Sequence, residues 1–393
     1  MINESLLTGI VPDKLKIAKI TPLFKSGDPK SYNNYRPISI LPCLSKIYEK
    51  VIYIRLIYFI NKNKILSKCQ YGFRSNHSTS LAVVDFLEKM ITSIDKGYYS
   101  LGVFLDLSKA FDTVNHKILL TKLEFYGVRG VALKWFENYL SNRKQYVEYK
   151  NEKSKLFEIN CGVPQGSILG HILFLLYFND IINSTEHLSF TLFADDTNVF
   201  YKSKSLDELN KTVNKELTNL SPWFRSNKLS LNINKTKFIL FTNKKKVNNN
   251  LINIKIDSEE IKRVSVTKFL GMIIDEHLTW KPQIKHLSSK ISRNIGSINK
   301  IKYYLPKHAL KTLYYSMIYP YLLYGNIVWA STYKTNINRL QILQKKAIRI
   351  ITNSDYLSHT SDLFEKEKIL TIKGQINPKS KKIFFSHFKA TKC

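Results

Sequence analysis

Apolar and polar positions change their spacing several times along this chain, and each change marks an element. Ile17 to Phe24 is apolar and β-branched, SGDPKSYNN is rich in turn residues, and YRPISIL is again extended, which predicts two strands joined by a loop. Two helical periods follow. The first runs from Pro42 to Ile60. The second runs from Ser78 to Ile94, with Ser78 or Thr79 as its cap and Leu81, Val84, Leu87 and Ile91 on its apolar face. Tyr99 to Leu107 reads as a buried strand, Asn115 to Leu140 as two helices broken at YGVRG, and Gln145 to Ile159 as a hairpin.

CGVPQGSILG then opens a helical run from Ser167 to Ile182, and LSFTLF and TNVFYK read as short strands on either side of an Asp-Asp turn. Leu206 to Asn227 is an amphipathic helix, while LSLNINKTKFILF, the lysine and asparagine loop at 244–250, and KFLGMIID give further strands and turns. After Trp280 the spacing is helical to about Thr352, and no structure is expected after Ile383. Strands and helices alternate without a regular βαβ repeat, so the expected class is α+β. The uncharged stretch Leu313 to Ala330 contains Ser316, Pro320, Gly325, Asn326 and five tyrosines, which makes it a buried helical pair and not a membrane span.

Composition sharpens this picture through charge. A chain of 393 residues that is 44% apolar can bury more than one core, and 61 Lys and Arg against 30 Asp and Glu leave a net charge of +31. That field favours a polyanionic partner. Cys43, Cys69, Cys161 and Cys393 lie far apart with no CxxC pair, which argues for a reducing compartment and against a structural zinc site. Glu4, Asp13 and three lysines interrupt the first twenty residues, so a secretory leader is not expected and an intracellular setting, cytoplasm or nucleus, is.

Against this basic background two acidic spots stand among apolar residues: Asp106 at the end of GVFLDL, and Asp195 with Asp196 in FADDT. An unpaired carboxylate is costly to bury, and hard oxygen donors suit Mg²⁺. Two such ions about 3.5–4 Å apart can clamp the attacking and leaving oxygens of a phosphoryl transfer. Alone, each spot is also what a hairpin turn or a strand end provides.

VFLDLSKAFDTV, GVPQGSILG and FADDT, in this order and spacing, resemble the A, B and C motifs of reverse transcriptases, and the chain around them resembles the jockey-like non-LTR retrotransposon branch. ITPLFKSGDPKSYNNYRPISIL and QYGFRSNHST resemble the family's fingers, NKLSLNINKTKFILF and KFLGMIID its D and E motifs, and LTWKPQIKHLSSKI its thumb, so the likeness covers about residues 10 to 352. It implies a right-hand polymerase with fingers at 1–98, a palm at 99–279 to which 115–160 adds part of the fingers, a helical thumb and connection at 280–352, and a basic tail at 353–393.

The resemblance implies that Asp106, Asp195 and Asp196 hold two Mg²⁺ ions, or Mn²⁺, together with the backbone carbonyl of Leu107. It implies that Lys25 and Arg36, with Lys19 as a third, reach the triphosphate of a dNTP, and that Gln165 and Gly166 line the nucleotide and template pocket. Phe111 would sit beneath the sugar and exclude a 2′-hydroxyl, Leu270 and Gly271 would position the primer end, and either Lys235 or Lys237 would protonate pyrophosphate. His171 departs from the pattern, standing where jockey-like elements usually carry proline. The implied partners are an RNA template, a DNA primer and their RNA–DNA hybrid, which the Lys, Arg and Tyr between Lys281 and Arg349 would follow.

Two expectations follow. One is an RNA-directed DNA polymerase. The other is a truncated element product that binds nucleic acid without copying it, because the chain opens about ten residues before the first fingers motif, carries no cysteine–histidine knuckle, and leaves no room for an endonuclease or RNase H domain. Nicking is then expected from another protein, and the oligomeric state is left open.

Overall fold

The structure, a computed structural model, describes residues 1–150, 152–243 and 252–375. The loop expected at 244–250, the stretch after Ile383 and Cys393 lie outside the described residues. Among the described residues two compact units emerge, the first made of 1–77, 102–237 and 252–262, the second of 78–101, 238–243 and 263–375.

In the first unit, strands Ile17–Phe24 and Tyr35–Ile40 pair antiparallel with Pro22 opposite Pro37. Proline has no N–H to give, and both sit at a pair that exchanges no ladder bonds, since Lys25 N–H donates to the Asn34 carbonyl at 2.8 Å three residues on. Arg143–Tyr149 joins the same sheet parallel to Ile17–Ile20 and pairs antiparallel with Glu152–Lys153 and Phe157–Ile159. The parallel pairing stops before Pro22, and Ala18 and Ile20 turn into the core with Leu41.

From Leu169 to Phe178 every residue of helix Ile168–Phe178 except His171 is buried. A continuous apolar run such as ILFLLYF shows no face for that reason. Ser167 caps it, its hydroxyl accepting the Gly170 N–H at 2.7 Å. The expected α-helix to Ile182 instead tightens into a 3₁₀ turn, Asn179–Ser184. The side chain of Asn179, accepting from Ser67 N–H at 2.8 Å and donating to the Ile65 carbonyl at 2.9 Å, ties this point to a distant loop. The strand expected over Tyr99 to Leu107 ends at Leu105, and Asp196–Ser203 lies between it and Ser189–Phe193.

In the second unit, Ser78 caps helix Thr79–Asp95 by accepting the Leu81 N–H at 3.2 Å. Its buried face is Val83, Phe86, Leu87 and Met90, and Ile91, expected inside, is 47% exposed. Phe86 sets that rotation, its ring 5.5 Å from Phe269 and 6.1 Å from Phe241. Strands Val266–Phe269 and Met272–Asp275 form a hairpin. Asp275 then accepts from Thr279 and Trp280 N–H, each at 2.9 Å, and so starts helix Lys281–Ile301. That helix packs along Lys334–Ile351 through Ile284, Leu287, Ile291 and Ile295 on one side and Ile337, Leu340 and Ile348 on the other. Leu313 to Ala330 is divided among helices Lys307–Met317, Tyr319–Leu323 and Asn326–Trp329, and no helix among the described residues is long and apolar enough to cross a membrane. Residues 353–375 fold back, with Phe364, Ile369 and Ile372 buried and Ile372 N–H donating to Gln344 Oε1 at 2.8 Å. The chain is α+β.

Candidate active site

Phe193 faces Asp196 across a hairpin whose connecting residues are Ala194 and Asp195. The first of these has φ 56°, the left-handed slot that a two-residue hairpin usually fills with glycine, and Asp195 does not share it. A strained alanine persists only where its surroundings hold it, at a cost of about 1–3 kcal/mol. They do so here. Gln70, buried, accepts the Ala194 N–H at 3.0 Å and the Gly72 N–H at 2.8 Å through one oxygen, Oε1. Tyr71 N–H donates to the Leu192 carbonyl and Leu192 N–H to the Cys69 carbonyl, both at 2.8 Å. A methyl group on Gly72 would lie 2.3 Å from the Ala194 nitrogen, so this approach requires glycine.

Asp106 follows the last residue of its strand and is fixed through its backbone. Its N–H donates to Thr236 Oγ1 at 3.3 Å and its carbonyl accepts the Asn232 N–H at 2.8 Å, while Ser108 N–H donates to Ser230. Leu107, facing Leu231 between those two bonds, is therefore a pair that exchanges none, and its own carbonyl points to the opposite edge.

Asp106 lies close enough to act on both Asp195 and Asp196. Burial raises the Asp195 carboxyl above the ordinary range, Asp106 adds to the rise, and Lys25 and Arg36 oppose it. Asp196 is pushed up to about 6 by burial, then by Asp195 and Asp106, with Lys25 opposing, although its outer side stays open to solvent. Three hard oxygen donors that repel one another match the chemistry of a divalent cation. No three His, Cys, Asp or Glu side chains among the described residues are already clustered to hold one. Mg²⁺ commonly takes one or two carboxylates and completes its shell with water and phosphate oxygens, so the donor set fits without a closed cage.

Lys25 and Arg36 are exposed at the mouth of a built loop. Gly27, at φ 93°, tucks against Asn34, whose Nδ2 donates to the Asp28 carbonyl at 2.9 Å, and Tyr35 hydroxyl donates to the Pro29 carbonyl at 2.8 Å. Lys19 is placed differently. Its ammonium pairs with Glu148 at 2.9 Å, a consequence of the parallel strand pairing.

Gln165 Nε2 donates to Asp112 Oδ1 at 2.8 Å, and the Gln165 carbonyl accepts the Ser39 N–H at 2.8 Å. A methyl group on Gly166 would meet the Ser39 carbonyl oxygen at 2.3 Å, at φ 134°. Phe111 is half-buried, stacked 4.3 Å from Phe174, with Phe73 and His171 edge-on at 6.4 and 6.3 Å. His171 does not disturb the helix, since its ring packs on Phe73 at 4.2 Å. Lys235 is exposed and Lys237 opens the strand Lys237–Phe241. Leu270 and Gly271 belong to the second unit, where both take positive φ, 44° and 81°, as a two-residue hairpin turn demands. Tyr324 hydroxyl donates to the Leu270 carbonyl and braces that turn.

The family profile described as Reverse transcriptase (RNA-dependent DNA polymerase) matches residues 26–274. This chain belongs to the reverse transcriptase family. A probable RNA-directed DNA polymerase from transposon BS of Drosophila melanogaster is 30% identical over 395 residues, covering 95% of this chain and 42% of that protein. The RNA-directed DNA polymerase from mobile element jockey of the same species is 28% identical over 382 residues, covering 94% and 41%. The chain thus spans about two fifths of the length of these curated relatives.

Within this reverse transcriptase domain, Gln70, Thr236 and Glu49 are site-shaping residues that the sequence did not single out. Glu49 is 1% exposed, and its carboxylate accepts the Ile168 N–H at 2.6 Å and the Tyr139 hydroxyl at 2.9 Å. It sits where a helix N-terminus favours negative charge, and burial nevertheless raises its carboxyl above the ordinary range. Through Ile168 it steadies the turn that carries Gln165 and Gly166. Nothing in YEKVIY marks this Glu as buried, since the nearby Lys46 and Lys50 are exposed and, of its polar neighbours on the helix, only Ser45, one turn earlier, shares its buried side.

Proposed function

We propose that this chain is the polymerase of a non-LTR retrotransposon, extending a DNA primer on an RNA template with dNTPs. One observation carries the reading: at a strained hairpin turn burial and the nearby Asp106 raise the carboxyls of Asp195 and Asp196, while Lys25 opposes both rises and Arg36 that of Asp195. A surface turn would have neither the neighbouring carboxylate nor the converging cations.

The three aspartates would hold Mg²⁺, two ions with the Leu107 carbonyl as a further donor. When bound, the ions would acidify the primer 3′-hydroxyl and neutralise charge on the departing pyrophosphate. The chain itself would orient the reactants. Lys25 and Arg36 would grip the triphosphate, the second by a planar fork suited to phosphate. Gln165 and Gly166 would line the base pair, Phe111 would lie against the sugar, and the Leu270–Gly271 turn would seat the primer end. Residues 1–98, 99–279 and 280–352 would act as fingers, palm and thumb, in the cytoplasm or nucleus.

Primer extension on an RNA template with Mg²⁺ and dNTPs tests this. Extension supports the polymerase. Tight hybrid binding with no extension supports a product that binds nucleic acid and no longer copies it.

A further inference from the structure

Helix Cys43–Lys62, in the first unit, has two apolar faces. One is the buried side, with Tyr48, Leu56 and Ile60. The other runs through Leu44, Ile47, Val51, Ile54 and Tyr58, spaced by 3, 4, 3 and 4 residues. This is the repeat of a helix that pairs with another helix. Leu44, Ile47, Ile54 and Tyr58 are 56, 50, 55 and 68% exposed. Single exposed apolar residues are ordinary, but a continuous seam along four turns is a contact surface.

Two further observations define what it fits. Lys50 flanks the seam on one side and Arg55 on the other, and the acid of that stretch, Glu49, points into the buried side. Beyond Arg55 an apolar cavity of about 310 Å³ opens, lined by Leu6, Phe59, Val131 and Ala132 with Arg129 at its edge. That volume accepts one large side chain.

We propose that this face docks an amphipathic helix of a partner protein, with apolar residues along the seam, Glu or Asp facing Lys50 and Arg55, and one bulky apolar residue inserted in the cavity. A second copy of this chain would set Lys50 and Arg55 against their own kind, since both flanks are basic. Nucleic acid would satisfy the cations and leave the five apolar side chains in water. An acidic helix satisfies both.

The probe is a synthetic helical peptide with Leu at seam positions, Glu at flanking positions and one Trp, titrated against the full chain by fluorescence anisotropy at about 0.15 M salt, where screening limits unspecific attraction to the basic surface. It should bind at least about tenfold more tightly than a peptide of the same composition scrambled out of the repeat, and than a Lys-flanked version. The double variant Ile47→Ser/Ile54→Ser should lose about tenfold with an unchanged melting curve, and Lys50→Glu/Arg55→Glu should reverse the preference in favour of the Lys-flanked peptide. Equal binding of the scrambled peptide, or a charge swap without reversal, overturns the proposal. So does a dimer of the free chain that Ile47→Ser/Ile54→Ser dissolves, which assigns the face to a second copy, or a matching loss of RNA–DNA hybrid affinity, which assigns it to nucleic acid.

Discussion

Two carboxylates and one strained alanine at the Asp195 turn, with Asp106 just past the end of a neighbouring strand, are held by a short set of bonds, two of them accepted by the single Gln70 oxygen. The helices Lys281–Ile301 and Lys334–Ile351 are held by a repeated apolar stripe in which no one isoleucine is special, and their outer faces are mainly lysine, arginine, serine and asparagine, with Ile301 and Ile342 also exposed. The turn concentrates chemistry and has almost no slack. The helical region spreads its stability and tolerates change. Substitutions of similar size should therefore differ in effect, and even in sign, between the two.

The sharpest break in that comparison is Asp195→Asn. If Asp195 holds the proposed metal ions, this substitution should lower primer extension by several powers of ten, because losing such a ligand would cost several kcal/mol of barrier and each 1.4 kcal/mol is about tenfold. Hybrid affinity should change little, since one carboxylate is a small part of the field of a chain with net charge +31. A variant that kept a tenth of the rate would remove Asp195 from the chemistry.

Next comes Gly72→Ala, which puts a methyl carbon 2.3 Å from a backbone nitrogen. Backbone cannot swing aside as a flexible side chain can. Loss of about 2–4 kcal/mol of stability is expected, with a lower melting temperature and a fall in extension at temperatures where the protein remains folded. An unchanged melting curve would mean that the Tyr71 and Gln70 contacts do not pin the turn.

These two substitutions also separate what was legible in the sequence from what was not. The two strands at FADDT, the Ser167 cap, and a cap at Ser78 or Thr79, which is Ser78, were readable, because each depends on residues within a few positions. The supports of the site join residues 119 to 130 apart: Glu49 to Ile168, Gln70 to Ala194, and Asp106 to Thr236. No local spacing encodes such pairs. Lys19 shows the same limit, for its partner Glu148 is set by a parallel strand pairing between distant segments. The 3₁₀ end of the helix after Phe178 likewise follows from where Asn179 finds its partners.

Phe111→Val should have an intermediate effect. Its ring is stacked on buried Phe174 and half open, so trimming it clears space on the open side. Discrimination against ribonucleotides should drop by about 1–3 kcal/mol while deoxynucleotide extension largely survives. A purely packing role would instead cost about 2–4 kcal/mol of stability and reduce both activities together. The ratio of ribonucleotide to deoxynucleotide incorporation, measured beside a melting curve, separates them.

A smaller effect concerns pH. Asp196 has its folded carboxyl raised to about 6 from 3.8, so its ionised form opposes folding above that range and the opposition disappears as pH falls from about 6 toward 4. Asp196→Asn should raise the melting temperature of the metal-free protein at pH 7.5, do so by about half as much at pH 5, and only slightly near pH 4. Added Mg²⁺ should raise it for the wild type at pH 7.5 and little for the variant. A variant that melts lower at pH 7.5 would show that the Asp196 charge is compensated by Lys25 after all.

The smallest effect, and the one opposite in sign, is Gly296→Ala. Gly296 lies inside helix Lys281–Ile301, carries no positive φ, and has nothing within 4 Å of where a methyl group would go. Its substitution therefore meets no neighbour and removes only the backbone freedom that glycine loses on entering a helix, worth about 0.5–1 kcal/mol in favour of alanine. The melting temperature should rise slightly, with extension unchanged. The same glycine-to-alanine change at 72 and at 296 thus tests one difference, that between a backbone pressed against another backbone and a helix surface facing water. If Gly296→Ala destabilised the protein as much as Gly72→Ala, the helical region would be as tightly specified as the turn. If it cost extension without loss of stability, that face of the helix would have to meet the template and primer directly, and its tolerance would end where nucleic acid begins.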